Sequence, residues 1–211
     1  YNMKRITSIL FFLLSFFCNA QIMTENFEGG IPADWQISNN GFGLAQPWKM
    51  STPAQTIGVA GSLCVFVSNE NAAGNIIEDR LRTKLVNLTG VANPKLKFSV
   101  KTLPTGGTRN SKLEIRTSLN ADLSNSTVVA TFDDFQGANP LTGTTTTFSE
   151  KEVSLLAVRG QSVYIGFVMI NQATGKIWYI DDVSVIEDCP EVTDLTATNI
   201  TNSTATLGWT T

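Results

Sequence analysis

The 211-residue sequence predicts an all-β fold, an antiparallel jelly-roll β-sandwich, and three observations carry that expectation. Short runs rich in Val, Ile, Thr and Phe recur along the chain with alternating apolar and polar positions. Clusters of Gly, Asn, Pro and Ser punctuate them. No segment has the length and period of a crossover helix, which a parallel sheet would require.

Taken in order, the predicted strands are MTENFE (23–28), SLCVFVS (62–68), DRLRTKLVNL (79–88), PKLKFSVKTL (94–103) and SKLEIRTSL (111–119). TVVATFDD (127–134), FSEKEVSLL (148–156), SVYIGFVMIN (162–171) and KIWYIDDVSVIE (176–187) complete the set. In KLKFSV, Leu96, Phe98 and Val100 share one face, as the two-residue period of a strand demands. The loops NENAAGN, PTGGTRN and GANPLTGTTTT are polar turn segments. SLLAVRG (154–160) reads as one helical turn at a strand end.

Composition narrows the function. With 42% apolar and 16% charged residues, the chain can bury a core and is not a disordered sequence. The net charge of −3 and the absence of a basic block argue against nucleic acid as a partner. There is no histidine, so Ser-His-Asp and Cys-His catalysis and His-ligated zinc are excluded. Carboxylate chemistry and calcium, which takes oxygen ligands, remain open.

Residues 1–20 read as an export signal. Met3 is the expected start, Lys4 and Arg5 are the charged beginning, Ile6 to Phe17 the apolar core, and Cys18-Asn19-Ala20 the cleavage site. The apolar run falls short of the ~20 residues a spanning helix needs, so no membrane span is expected in the mature chain. Lipidation at Cys18 is the second reading. Loss of Lys4 and Arg5 from 15 basic and 18 acidic residues leaves 13 against 18, a mature charge of −5. Cys64 and Cys189 then remain. An exported chain permits a bond between them, and the alternative is a buried thiol and a separate boundary residue.

A domain boundary is expected at about Glu187 to Pro190. Residues 21–187 form the sandwich, and 188–211 carry a rhythm of their own. There Leu195 and Ala197, then Ala205, Leu207 and Trp209, resemble the first two strands of a fibronectin type III domain. Such a sandwich needs roughly 100 residues, so further sequence is expected beyond Thr211.

GKIWYIDDVSV (175–185) carries the first candidate site. In a regular strand, Asp181 shares its face with Ile177, Tyr179, Val183 and Val185, while Asp182 lies beside Ser184 and meets water. A carboxylate on an apolar face must be bonded or metal-bound. Asp181 is therefore either a calcium ligand or an acceptor of backbone N–H bonds from a neighbouring loop. Glu28, where the first strand enters the Gly-Gly-Ile-Pro turn, is its expected partner if the terminal strands pair. Glu28 as a plain surface acid is the alternative, and Glu25 is a weaker candidate ligand. Among the tryptophans, Trp35 and Trp178 sit in apolar patterns that suit a core. Trp48, in AQPWKM between turn residues, is the candidate exposed aromatic for stacking on a sugar.

FEGGIPADW, FVSNENAAG, DRLRTKLVNLTGVANPKLKFSV and VYIGFVMINQATGKIWYIDDVSV together resemble the cleaved-adhesin or choice-of-anchor J domains of exported Bacteroidetes-type proteins, over about residues 24–187. The resemblance implies a jelly-roll sandwich, often calcium-binding, that serves as an adhesion or accessory module beside fibronectin-type domains. It places Glu28 and Asp181 on the acidic positions and Trp35 and Trp178 on the aromatic ones. The sequence departs from the pattern at DRLRTKL, where Arg80 and Arg82 stand in place of a bulky segment.

The expectation is thus a secreted or cell-surface, non-catalytic module for adhesion or substrate targeting. It would hold structural calcium at Glu28 and Asp181 and bind an extracellular protein or glycan. The alternative is a carbohydrate-binding accessory module of a larger secreted hydrolase or peptidase. A carboxylate-pair enzyme would need two acids facing across a cleft, and the pattern places none so.

Overall fold

The computed structural model describes residues 21–54, 57–70, 74–104, 111–133, 147–171, 176–188, 193–201 and 203–210. The expected export signal and Cys189 lie outside them. The strands are β1 (Gln21–Glu25), β2 (Gln36–Asn39), β3 (Trp48–Met50), β4 (Val65–Val67), β5 (Ile77–Arg82), β6 (Val86–Asn87) and β7 (Pro94–Pro104). They continue with β8 (Ser111–Ser118), β9 (Thr127–Asp133), β10 (Ser149–Ser154), β11 (Ser162–Asn171), β12 (Lys176–Glu187), β13 (Thr193–Thr198) and β14 (Thr206–Thr210).

Two antiparallel sheets face each other. The first runs β10-β7-β12-β4-β3, with β1 also paired to β12; the second runs β2-β5-β11-β8-β9, with β6 paired to β11. The core lies between them because each strand alternates. Leu96, Phe98 and Val100 of β7 meet Val163, Ile165 and Phe167 of β11 in one apolar cluster. Phe98 contacts Phe167 and Phe132 edge-on, at centroid distances of 5.2 and 5.6 Å, an arrangement that matches ring edges to ring faces. Among the described residues the helical content is two single 3-10 turns, Val59–Gly61 and Leu156–Val158, the second within the SLLAVRG segment. No described helix is long and apolar enough to cross a membrane.

The terminal strands pair as expected, with Met23 opposite Val185 and Glu25 opposite Val183. The edge of β12 is shared. β4 runs along Trp178 to Ile180, β1 along Val183 to Ile186, and a β-bulge sits between Asp181 and Ser184 where one partner gives way to the other. Asp182, at φ 47°, is the bulge residue. This corrects the face assignment for β12. Trp178 and Ile180 before the bulge and Val183 and Val185 after it all face the core, and Asp181 turns to the outside of its sheet.

The sandwich is one compact unit, and the described residues 193–201 and 203–210 belong to another. Within it β13 pairs β14 antiparallel, Ala197 opposite Leu207. Leu195, Leu207 and Trp209 are each more than half exposed.

Candidate functional site

The candidate site is the outside of the first sheet where the loop from Ile57 to Leu63 crosses it. Asp181 is 0% exposed there. Its Oδ2 accepts the Val59 N–H (2.8 Å) and the Ser62 hydroxyl (2.9 Å), and its Oδ1 accepts the Asp182 N–H (2.8 Å). Glu28 accepts the N–H of the next residue, Leu63, at 2.8 Å. The structure therefore brings the two sequence-predicted acids to one loop, on adjacent residues. Asp182 is exposed, as read from sequence. Glu25 is occupied locally, its Oε1 accepting the Phe27 N–H at 2.7 Å.

A third group holds the loop and escaped sequence reading. Lys101 of β7 is 7% exposed; its ammonium donates to the Ile57 carbonyl and lies over the rings of Phe148 (4.5 Å) and Tyr179 (5.1 Å). In KLKFSVK it reads as an ordinary outward lysine, and only the loop folding over it makes it buried. Burial pushes its pKa down, against the opposing pull of the Cys64 and Asp181 side chains. Burial likewise raises the Asp181 carboxyl, more than its loop hydrogen bonds lower it. Cys64 is a free thiol, 0% exposed, and burial pushes it up to about 11.

Glycine is required at position 58. A Cβ there would sit 2.5 Å from the Ser62 Oγ, 2.6 Å from the Ser62 carbonyl and 2.7 Å from the Leu63 carbonyl. Three neutral oxygens thus crowd Gly58, next to the residues that the two carboxylates grip. Oxygens are the hard donors that calcium takes, 6–8 at a time, but two of these are already engaged: the Ser62 carbonyl accepts the Gly58 N–H at 2.9 Å and the Ser62 hydroxyl donates to Asp181. Among the described residues no group of three or more acids or cysteines converges, so carbonyls and hydroxyls would supply most of the ligands.

The aromatic candidate is corrected. Trp48 is 1% exposed and its indole N–H donates to the Asp79 carbonyl at 3.1 Å. It belongs to a three-residue strand on the sheet edge whose inward position its turn-like neighbours disguise, and no face of it is open to a sugar. Trp35 packs edge-on against Phe27, and Trp178 is buried with its N–H on the Ser111 hydroxyl at 2.9 Å, so both are core residues.

This fold defines a class, the antiparallel two-sheet β-sandwich. Among solved structures, the chain is similar to the K1 cleaved adhesin domain of Lys-gingipain from Porphyromonas gingivalis W83. The TM-score is 0.58 and the identity 22%, over 77% of this chain and 96% of that one. The K3 domain of the same protein follows at 0.56 and 20%, over 79% and 98%. TmCBM61, solved in complex with β-1,4-galactotriose, matches at 0.50 and 13%, over 77% and 94%. At these identities the likeness establishes the fold. No protein-family model and no curated protein matches the chain.

Proposed function

We propose that this is an exported, non-catalytic adhesion or substrate-targeting module that engages an extracellular protein or glycan and is stiffened by structural calcium. The observation that carries the reading is the placement of Asp181: the one carboxylate buried in the candidate site is consumed in holding a loop, with both oxygens accepting hydrogen bonds. A buried acid so bonded organises structure and has no access to a substrate. Likeness to cleaved adhesin domains supports an extracellular or surface role. Calcium at Glu28 and Asp181 would have to share the carboxylate oxygens with these loop hydrogen bonds; bound there it would tie the β1 end to β12 and stabilise the fold by binding the native state alone. Residues 188–211 fit this picture as the opening of a fibronectin type III domain, since the exposed Leu195, Leu207 and Trp209 are apolar groups that further strands would cover.

A second reading, a carbohydrate-binding accessory module of a larger secreted hydrolase or peptidase, is supported by the likeness to the galactotriose-bound TmCBM61. Binding of the purified chain to immobilised glycans and extracellular-matrix proteins, with product analysis of the glycans, tests both. Binding without turnover is the expected result; cleavage of a bound glycan refutes the non-catalytic assignment. For calcium, the melting temperature of the native chain should fall on chelation while that of Asp181→Asn should not. Equal native melting temperatures with calcium and with chelator would dispose of the ion.

A further inference from the structure

The outside of the second sheet carries a groove of about 570 Å³ between β2, β5, β8 and the turn 119–126. Its floor is a closed ionic network. Arg116 forks onto Glu78 with two bonds (3.0 and 3.2 Å) and bonds Glu114 through Nε at 2.9 Å. Arg80 reaches the same Glu78 at 2.7 Å, while its Nε–H, buried, has no hydrogen-bond partner. Burial raises the Glu78 carboxyl, and the two guanidinium partners outweigh that and hold it below its ordinary value, so it stays ionised. The charged side chains lining the groove are Glu78, Arg80, Arg116 and Asp122, two of each sign.

Above the floor, Gln36, Ser38 and Asn125 line the opening; Ser38 and Asn125 carry groups that both donate and accept, and Gln36, whose Oε1 accepts from Arg82 at 3.1 Å, offers its amide N–H groups. Asp122 accepts the Ser124 N–H with one oxygen (2.9 Å). The wall is held under strain: Leu123, at φ 59°, presses onto β11 where only glycine fits, since a Cβ on Gly166 would lie 2.5 Å from Leu123 Cδ1. A bulky residue in the left-handed region persists only where its surroundings fix it, and here it positions Asn125, itself at φ 52°, at the rim.

We propose that this groove is the ligand site and that it takes a neutral, hydroxyl-rich glycan. The proposal rests on the glycan branch of the function given above. Zero net charge among the lining groups gives no attraction for an acidic or basic ligand. A sugar hydroxyl, which gives one hydrogen bond and accepts others, matches lining groups that do the same. Leu123 is the one apolar lining residue, so an apolar ligand would gain nothing. The volume falls within the roughly 300–1,000 Å³ of small-ligand sites.

The test uses the full chain on an immobilised panel of neutral and uronic-acid oligosaccharides that includes β-1,4-galactotriose, xylohexaose and trigalacturonate, followed by titration calorimetry. The variant is Gln36→Ala with Asn125→Gly, which keeps the left-handed backbone unstrained; Glu150→Gln on the opposite sheet is the control. The expected result is binding of a neutral oligosaccharide that the double variant weakens at least tenfold at unchanged melting temperature, with the control unaffected. Undiminished binding by the double variant overturns the groove and leaves the glycan reading standing. Preference for trigalacturonate overturns the neutrality argument. A native chain that binds no member of the panel overturns both the groove and the glycan reading.

Discussion

Asp79 lies inside the sandwich as an acid without a partner, and this predicts how stability varies with pH. β5 alternates Ile77, Asp79 and Leu81 toward the interior, and Asp79 is 0% exposed with neither carboxyl oxygen hydrogen-bonded. Burial, reinforced by the nearby Glu70 carboxylate, raises its pKa from 3.8 to about 7. Between these values the folded state holds a proton that the unfolded chain releases, so stability falls as pH rises through that window and levels off above it. A shift of about three units at 1.36 kcal/mol each amounts to roughly 4 kcal/mol, against a typical total of about 5–15. Asp79→Asn keeps the shape and removes the charge. Urea denaturation of both proteins at pH 4.5, 6 and 7.5, at fixed ionic strength, gives the assay. The stability difference, variant minus native, should grow by about 2–4 kcal/mol across the series. Taking this difference cancels the other titrating groups, Glu78 and Asp181 included. A difference that stays flat with pH would refute the reasoning.

Gly166→Ala drives a methyl group into Leu123 and should cost about 1–3 kcal/mol in chemical denaturation, and Leu123→Ala in the same chain should return part of it. Gly58→Ala meets three oxygens, two of them backbone, and should lower the melting temperature by several degrees. Trp48→Ala removes a buried indole at a cost of about 3–5 kcal/mol, read from the urea midpoint. Cys64, buried and poorly ionised, should react with a thiol reagent only at the rate of unfolding, followed as reagent absorbance with and without urea.

Much of this fold is legible in the sequence because strands leave a two-residue signal. SVYIGFVMIN and KIWYIDDVSVIE coincide with β11 and β12 end to end. β2 and β3 escape because QISN and WKM are too short to show alternation, and each is set by its neighbour, β5 and β4 respectively. The candidate site was half visible. Two acids, Glu28 just past the first strand and Asp181 within the last, can be named from sequence, and their convergence on one loop follows once β1 pairs β12. The reason for Asp181 could not be read, because a bulge at Asp182 shifts the phase of β12 and nothing in IDDVSV marks it. Lys101 and Trp48 failed for a related cause. Their burial depends on a loop and a strand distant in sequence, and local pattern does not record long-range cover.

The pairing of β1 with β12 fixes how the sandwich responds to load. Gln21 lies opposite Ile186, so the two ends of the sandwich sit at one end of a single antiparallel ladder. A force separating these ends would load the β1–β12 rungs in turn, while β7, paired along the other edge of β12 at Ile186 and Glu187, would hold the β12 end in place. Beyond the last β1 rung lies the bulge, where Glu28 on one side and Asp181 on the other both grip the Val59–Leu63 loop. There the load would be shared among several bonds at once, so the clasp is where resistance to peeling is expected to rise.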